Sequence, residues 1–147
     1  HDLLLILYHY LKSGSYKMIT READYAIRTV VYLAQRFGKG PVATTEISEK
    51  AEIPYRFLRK ISHQLVESKI VDATRGKQGG IYLIQDPEKL SLLDVLKIFD
   101  ARSCHLNVCS DSDDACSRST TCKVCQRLRE LQEKLHAEFA GIKFSDL

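Results

Sequence analysis

Residues 44–65 read TTEISEKAEIPYRFLRKISHQL, and the fold turns on how this stretch divides. Thr45 to Ala51 has the makings of a short helix, with Thr44 or Thr45 as cap and Glu46 and Glu49 near its positive end. Glu52-Ile53-Pro54 then breaks the chain tightly. Pro54 suits the first turn of a second helix, where its missing N–H is not needed. That helix runs to about Ser68, with Phe57, Leu58, Ile61 and Leu65 as its apolar stripe. Its opposite face carries Tyr55, Arg56, Arg59, Lys60, His63 and Gln64. Two short helices joined this closely spell a helix-turn-helix.

Working outward, Ile70 to Thr74 reads as a strand and Ile81 to Ile84 as its return. Between them, Arg75-Gly76-Lys77-Gln78-Gly79-Gly80 is a glycine-rich turn with cationic tips, and Asp86-Pro87 closes the unit. A basic hairpin directly after a helix-turn-helix is the layout of a winged helix. Upstream, Thr20 to Phe37 reads as a helix capped by Thr20, with Ala23, Ala26, Ile27, Val30, Leu33, Ala34 and Phe37 at helical spacing. Gly38 and Gly40-Pro41 end it. Downstream, Ser91 caps a helix to Asp100 with Leu92, Val95, Leu96 and Phe99 on one face.

A loop rich in Ser, Asp and Cys fills Ala101 to Thr121, and a long helix starts near Thr121 or Cys122. Leu128, Leu131, Leu135, Phe139 and Ile142 follow at steps of 3, 4, 4 and 3, a narrow seam of coiled-coil type. The expected fold is therefore mainly α with a small β-hairpin wing: a winged helix-turn-helix over 18–100, a cysteine-rich loop over 101–121, and a dimerisation helix and tail over 122–147. Residues 1–17 are read as an extension outside the core. They contain the apolar run Leu3–Leu11, too short to span a bilayer and without the flanks of a signal peptide. The competing reading is an N-terminal helix packed on the core. Without a secretion signal, the expected compartment is the cytosol.

Charge sharpens the picture. From Pro54 to Lys77 six cations face two anions, so this stretch carries a net +4 in a chain whose total is +3. All the excess lies in the second short helix and the hairpin, the electrostatic footprint of a DNA binder. Arg56 and Arg59 are placed to fork onto guanine edges in a major groove, and Tyr55 to meet a phosphate or a thymine methyl. Lys60 and His63 share their face. Arg75 and Lys77 would reach phosphate or the minor groove. The competing reading is a solvated basic helix beside an ordinary hairpin. No P-loop, nucleophile–base set or acid pair is present, so the chain is not read as an enzyme.

The five cysteines raise a separate question. Reduced thiols clustered in a cytosolic chain point to metal or redox chemistry rather than a disulfide frame, and the odd count agrees. Cys109, Cys116, Cys122 and Cys125 form a run of four in 17 residues. Iron–sulfur clusters are usually held by four thiolates. A helix N-terminus lowers the pKa of a thiol such as Cys122. Zinc would also accept four thiolates, and Cys122-x2-Cys125 is a valid zinc knuckle. A thiol–disulfide switch, for instance Cys104 with Cys109, stays open, as does an inert role. His105 and His136 are read as surface histidines rather than ligands.

MITREADYAIRTVVYLA, TTEISEKAEIPYRFLRKISHQL and RGKQGGIYLIQDPEKLSLLDVLKIFD together resemble the winged-helix regulators of the Rrf2 family, the IscR- and NsrR-type proteins among them. The resemblance covers about Met18 to Phe139. It implies a chain starting at Met18, a DNA-binding homodimer on palindromic promoter DNA, and pairing through the long C-terminal helix at Leu128, Leu131, Leu135 and Phe139. It implies a repressor that senses redox state, nitric oxide or iron–sulfur status through a [2Fe–2S] or [4Fe–4S] cluster. Cys109, Cys116 and Cys122 fit the family's three-cysteine loop, with one extra residue in the first gap. IscR-like proteins use a histidine three positions after the last cysteine; here that position is Cys125. Cys104 is the alternative first ligand. Three other readings remain: a cluster-free regulator with a thiol switch, one with a zinc site, and an iron–sulfur carrier that binds no DNA.

Overall fold

The computed structural model describes residues 19–99, 105–107 and 116–147. The expectations for residues 1–17, and for Cys104 and Cys109, lie outside these residues.

Helix α1 (Arg21–Ala34) starts where expected. Thr20 Oγ1 accepts the Ala23 N–H at 3.2 Å, and Glu22 and Asp24 occupy the first turn. Ala23, Ala26, Val30 and Leu33 are buried, as are Tyr25 and Thr29. The expected continuation to Phe37 does not occur. The chain tightens into i→i−3 bonds, Arg36 N–H to Leu33 O at 3.0 Å and Phe37 N–H to Ala34 O at 3.1 Å, before Gly38 adopts φ +77°. Phe37 is left outside the core, 44% exposed.

Helix α2 (Thr44–Lys50) begins one residue early, and neither Thr44 nor Thr45 caps it. Ala43 holds the cap position with no side-chain bond. The cause lies just upstream: Val42 exchanges both backbone hydrogen bonds with Ile81, each 2.9 Å, which fixes the chain's direction into the helix. After α2 the Ser48 hydroxyl donates to the Ile53 carbonyl at 2.6 Å and Glu52 turns the chain at φ +54°.

Helix α3 (Tyr55–Glu67) follows at once. Pro54 sits at its cap position rather than in the first turn, its carbonyl accepting from Phe57 and Leu58. Leu58, Ile61 and Leu65 are wholly buried. Each such side chain contributes about 1.5–3 kcal/mol by leaving water. Phe57 is half-buried, its ring 5.8 Å from that of Tyr25 on α1.

Strands β1 (Val71–Thr74) and β2 (Gly80–Leu83) pair antiparallel, Val71 opposite Leu83 and Thr74 opposite Gly80. Ile70 and Ile84, expected in the strands, fall just outside them but still bond, Ile84 N–H to Ile70 O at 3.0 Å. The glycine at 80 is obligatory: a Cβ there would lie 2.1 Å from the Val42 carbonyl oxygen.

Helix α4 (Leu92–Phe99) is capped reciprocally. The Asp94 carboxylate accepts from the Ser91 N–H and hydroxyl, and Ser91 Oγ accepts the Asp94 N–H. Leu93, Val95 and Leu96 are its buried residues; Leu92, expected on that face, is half-buried. Helix α5 (Lys123–Gly141) packs on α4, and the chain then folds back. Leu92 N–H bonds to Ile142 O, and Phe144 N–H to Leu90 O. Phe144 thereby enters the main core, 2% exposed. A second, smaller cluster of Ala23, Leu93 and Leu96 takes Phe139 and Ala140 from α5.

Candidate nucleic-acid interface and cysteine segment

The helix α3 stripe that packs inward turns the other side out. Tyr55, Arg56, Arg59, Lys60 and His63 are all exposed, and Gln64 is half-buried. Their environments differ. The Arg56 guanidinium lies over the Phe57 ring, 4.7 Å from its centroid. His63 faces Glu67 one turn on at 3.4 Å. Lys60 is paired with Glu22 of α1, Nζ to Oε1 2.9 Å. Among the described residues, Arg59 has no ion-pair partner.

The hairpin tip presents Arg75 and Lys77, both exposed, on a turn that Gly76 makes at φ +113°. The Tyr82 hydroxyl donates across the hairpin to Asp72 at 3.3 Å, and the carboxylate's charge pushes the Tyr82 pKa up. The Val42–Ile81 bridge ties β2 to the entrance of α2, so wing and helix-turn-helix share backbone hydrogen bonds. The cations expected to meet nucleic acid therefore sit at the helix surface and the hairpin tip of one unit.

The described part of the cysteine segment is a turn running into α5. Ser119 N–H bonds to Cys116 O at 3.0 Å and Cys122 N–H to Arg118 O at 2.9 Å, so two successive turns lead from Cys116 to the cap. Cys122 holds the cap position of α5 and Cys125 lies three residues on, buried at 2% exposure. Cys122 makes no conventional side-chain cap bond. The amides of Cys125 and Val124 nonetheless face its sulfur and hold the thiol pKa below its ordinary value; desolvation opposes them and Arg118 assists. That is the chemistry a metal thiolate needs. None of Cys116, Cys122 and Cys125 is in a disulfide. Among the described residues no three metal-ligating side chains converge.

Further along α5 sits a buried polar group that the sequence reading passed over. Gln132, 5% exposed, accepts the Leu106 N–H at 2.7 Å. Its amide nitrogen, 2.9 Å from His136 Nε2, is then the donor to that ring. His105 and His136 meet edge to face at 6.1 Å between centroids. Both histidines thus belong to one docked node. On the same helix Leu131 and Val124 are exposed, at 54% and 66%; Leu128 and Leu135 are half-buried, and Phe139 packs inward. No helix among the described residues is long and apolar enough to cross a membrane.

A helix-turn-helix followed by a hairpin that carries cations at its tip defines a winged-helix DNA-binding protein. The chain belongs to the Rrf2 family, described as an iron-dependent transcriptional regulator, whose model matches residues 19–147. It is 27% identical over 130 residues to the transcriptional repressor NsrR of Streptomyces coelicolor, covering 88% of this chain and 86% of the relative. Two solved structures share the fold at 20% identity. IscR of T. potens gives a TM-score of 0.70, covering 87% of this chain and 83% of that one. CymR, the global cysteine regulator of B. subtilis, gives 0.67, covering 87% and 93%.

Proposed function

We propose that this chain acts as a homodimeric repressor whose hold on promoter DNA is governed by an iron–sulfur cluster at the start of α5. Tyr55, Arg56, Arg59 and His63 on α3 would enter a major groove, and Arg75 and Lys77 on the wing would meet the flanking backbone. The observation that carries this reading is the outward basic face of α3, in a helix-turn-helix whose entrance the Val42–Ile81 bridge ties to the wing. In the dimer two such faces address two half-sites of a palindrome.

Cys116, Cys122 and Cys125 would supply thiolates, with Cys109 or Cys104 as the remaining ligand. When bound, the cluster supplies a centre whose loss, oxidation or nitrosylation removes or alters shared ligation. The chain's own residues carry the rest: the Cys116–Cys122 turn leads into α5, and Gln132 ties the segment around Leu106 to the same helix. A change in ligation would then reach the helix that joins two protomers. A coupling of about 1–3 kcal/mol makes a useful switch.

The depressed pKa of Cys122 also favours a second reading, a cluster-free regulator in which this thiol takes part in a disulfide switch or a zinc site. The test of the DNA face is Arg59→Ala, compared with the native chain on duplex DNA by fluorescence anisotropy. Affinity should fall at least tenfold while the melting temperature holds. Equal affinity in a folded variant contradicts the assignment.

A further inference from the structure

Lys60 stands on the face proposed to meet DNA, yet a carboxylate already holds it. Glu22 lies in the first turn of α1, which Thr20 caps and which packs against α3. Its Oε1 is shut off from water and makes no conventional hydrogen bond; the Lys60 ammonium 2.9 Å away is what faces it. The lysine itself remains largely exposed, with 63% of its side-chain surface open. The contact therefore joins a partly exposed carboxylate, one of whose oxygens is shielded from water, to a cation still free to swing outward. Asp24 on the same turn is paired with Arg28 of its own helix at 3.0 Å, so it does not compete for Lys60. The neighbouring Arg59 carries no such partner among the described residues.

We infer that Glu22 sets specificity: it withholds Lys60 from phosphate and so removes sequence-independent affinity from the recognition helix. The inference rests on the α3 face being the DNA face. A phosphate approaching Lys60 competes with a carboxylate already in contact and, on winning, leaves that shielded oxygen uncompensated. Base contacts from Arg56 and Arg59 face no such competition. Each lysine that does neutralise a phosphate releases counterions, adding about 0.9 to the steepness of log affinity against log salt. Lys60 should contribute little of that beside Glu22, and nearly all of it once Glu22 is replaced by glutamine.

The test needs no known operator. The probe is a 30-base-pair duplex of arbitrary sequence, titrated by anisotropy from 50 to 300 mM KCl with the full chain, Glu22→Gln, Lys60→Gln and the double variant. All four are checked for folding by circular dichroism melting. Glu22→Gln should bind about threefold tighter at 50 mM KCl, with the salt slope steeper by about 0.9. The gain should vanish in the double variant, so Lys60→Gln costs more in the Glu22→Gln background than in the native chain. Equal titrations of Glu22→Gln and the native chain overturn the inference. So does a gain that persists in the double variant, which would mark a bulk charge effect. Arg59→Ala run alongside separates the two failures. If it binds like the native chain, the DNA face itself is misassigned; if it loses affinity while Glu22→Gln stays silent, only the role of Glu22 falls.

Discussion

The side-chain carbonyl of Gln132 accepts the Leu106 backbone N–H at 2.7 Å, which ties a stretch of the cysteine-rich segment to the inward side of α5. Gln132→Leu keeps the volume and removes the acceptor, leaving the Leu106 amide without its bond. The expected cost is about 1–3 kcal/mol in urea unfolding. A Gln132→Leu variant as stable as the native chain would show that the bond to Leu106 does not hold the segment on α5.

The depressed pKa of Cys122 has a readable sign. The folded thiol gives up its proton at lower pH than the same thiol in the unfolded chain. Its contribution to stability is thus fully present above the unfolded thiol's pKa and is lost as pH falls through the folded value. In metal-free, reduced protein, Cys122→Ser should flatten that part of the stability–pH curve. Iodoacetamide labelling of Cys122, followed by mass spectrometry, should show a pH midpoint below that of a free cysteine. A midpoint at or above it refutes the assignment.

Gly80 and Gly38 make a matched pair. A Cβ at 80 collides with the Val42 carbonyl at 2.1 Å, whereas at 38 it meets nothing and only the φ of +77° is unfavourable. Gly80→Ala should cost about 2–3 kcal/mol, an overpacking penalty plus the strained Val42–Ile81 bridge. Gly38→Ala should cost about 1–2 kcal/mol. Thermal melts order the two, and the reverse order would be inconsistent with the bridge's role.

Leu131 projects from α5 with 54% of its surface open, so it does little for the protomer's own packing. The expected seam is Leu128, Leu131, Leu135 and Phe139; Phe139 packs into its own protomer, so the stripe left for a partner helix is Val124, Leu128, Leu131 and Leu135, at steps of 4, 3 and 4. Leu131→Glu should leave the protomer folded and shift the mass seen by sedimentation from dimer to monomer. A dimer that survives the change places the interface elsewhere.

Local signals carried much of the fold. The Thr20 cap, the Leu58–Ile61–Leu65 stripe and the Gly-rich wing turn each act within a few residues, and each appears where periodicity and turn chemistry put it. What escaped depends on distant partners. No local pattern marks Phe144 as core; it is drawn in by the bond from its N–H to Leu90 O. Ala43 replaces the threonines as cap because Val42 is held by Ile81, far along the chain. Gln132 looked like one polar residue of a surface helix until Leu106 docked on it. At the candidate site the cations were legible as a charge count, but the Glu22–Lys60 pair, spanning two helices, was not.

In the proposed regulator, cysteines at the head of α5 hold an iron–sulfur cluster. The most direct measurement is anaerobic purification of the full chain, with its visible absorption spectrum and assays of iron, acid-labile sulfide and zinc, repeated on Cys122→Ala. The expected result is a coloured protein with iron and sulfide in similar amounts, and loss of both in the folded Cys122→Ala dimer. A colourless chain that takes up neither iron nor sulfide on anaerobic reconstitution would contradict it.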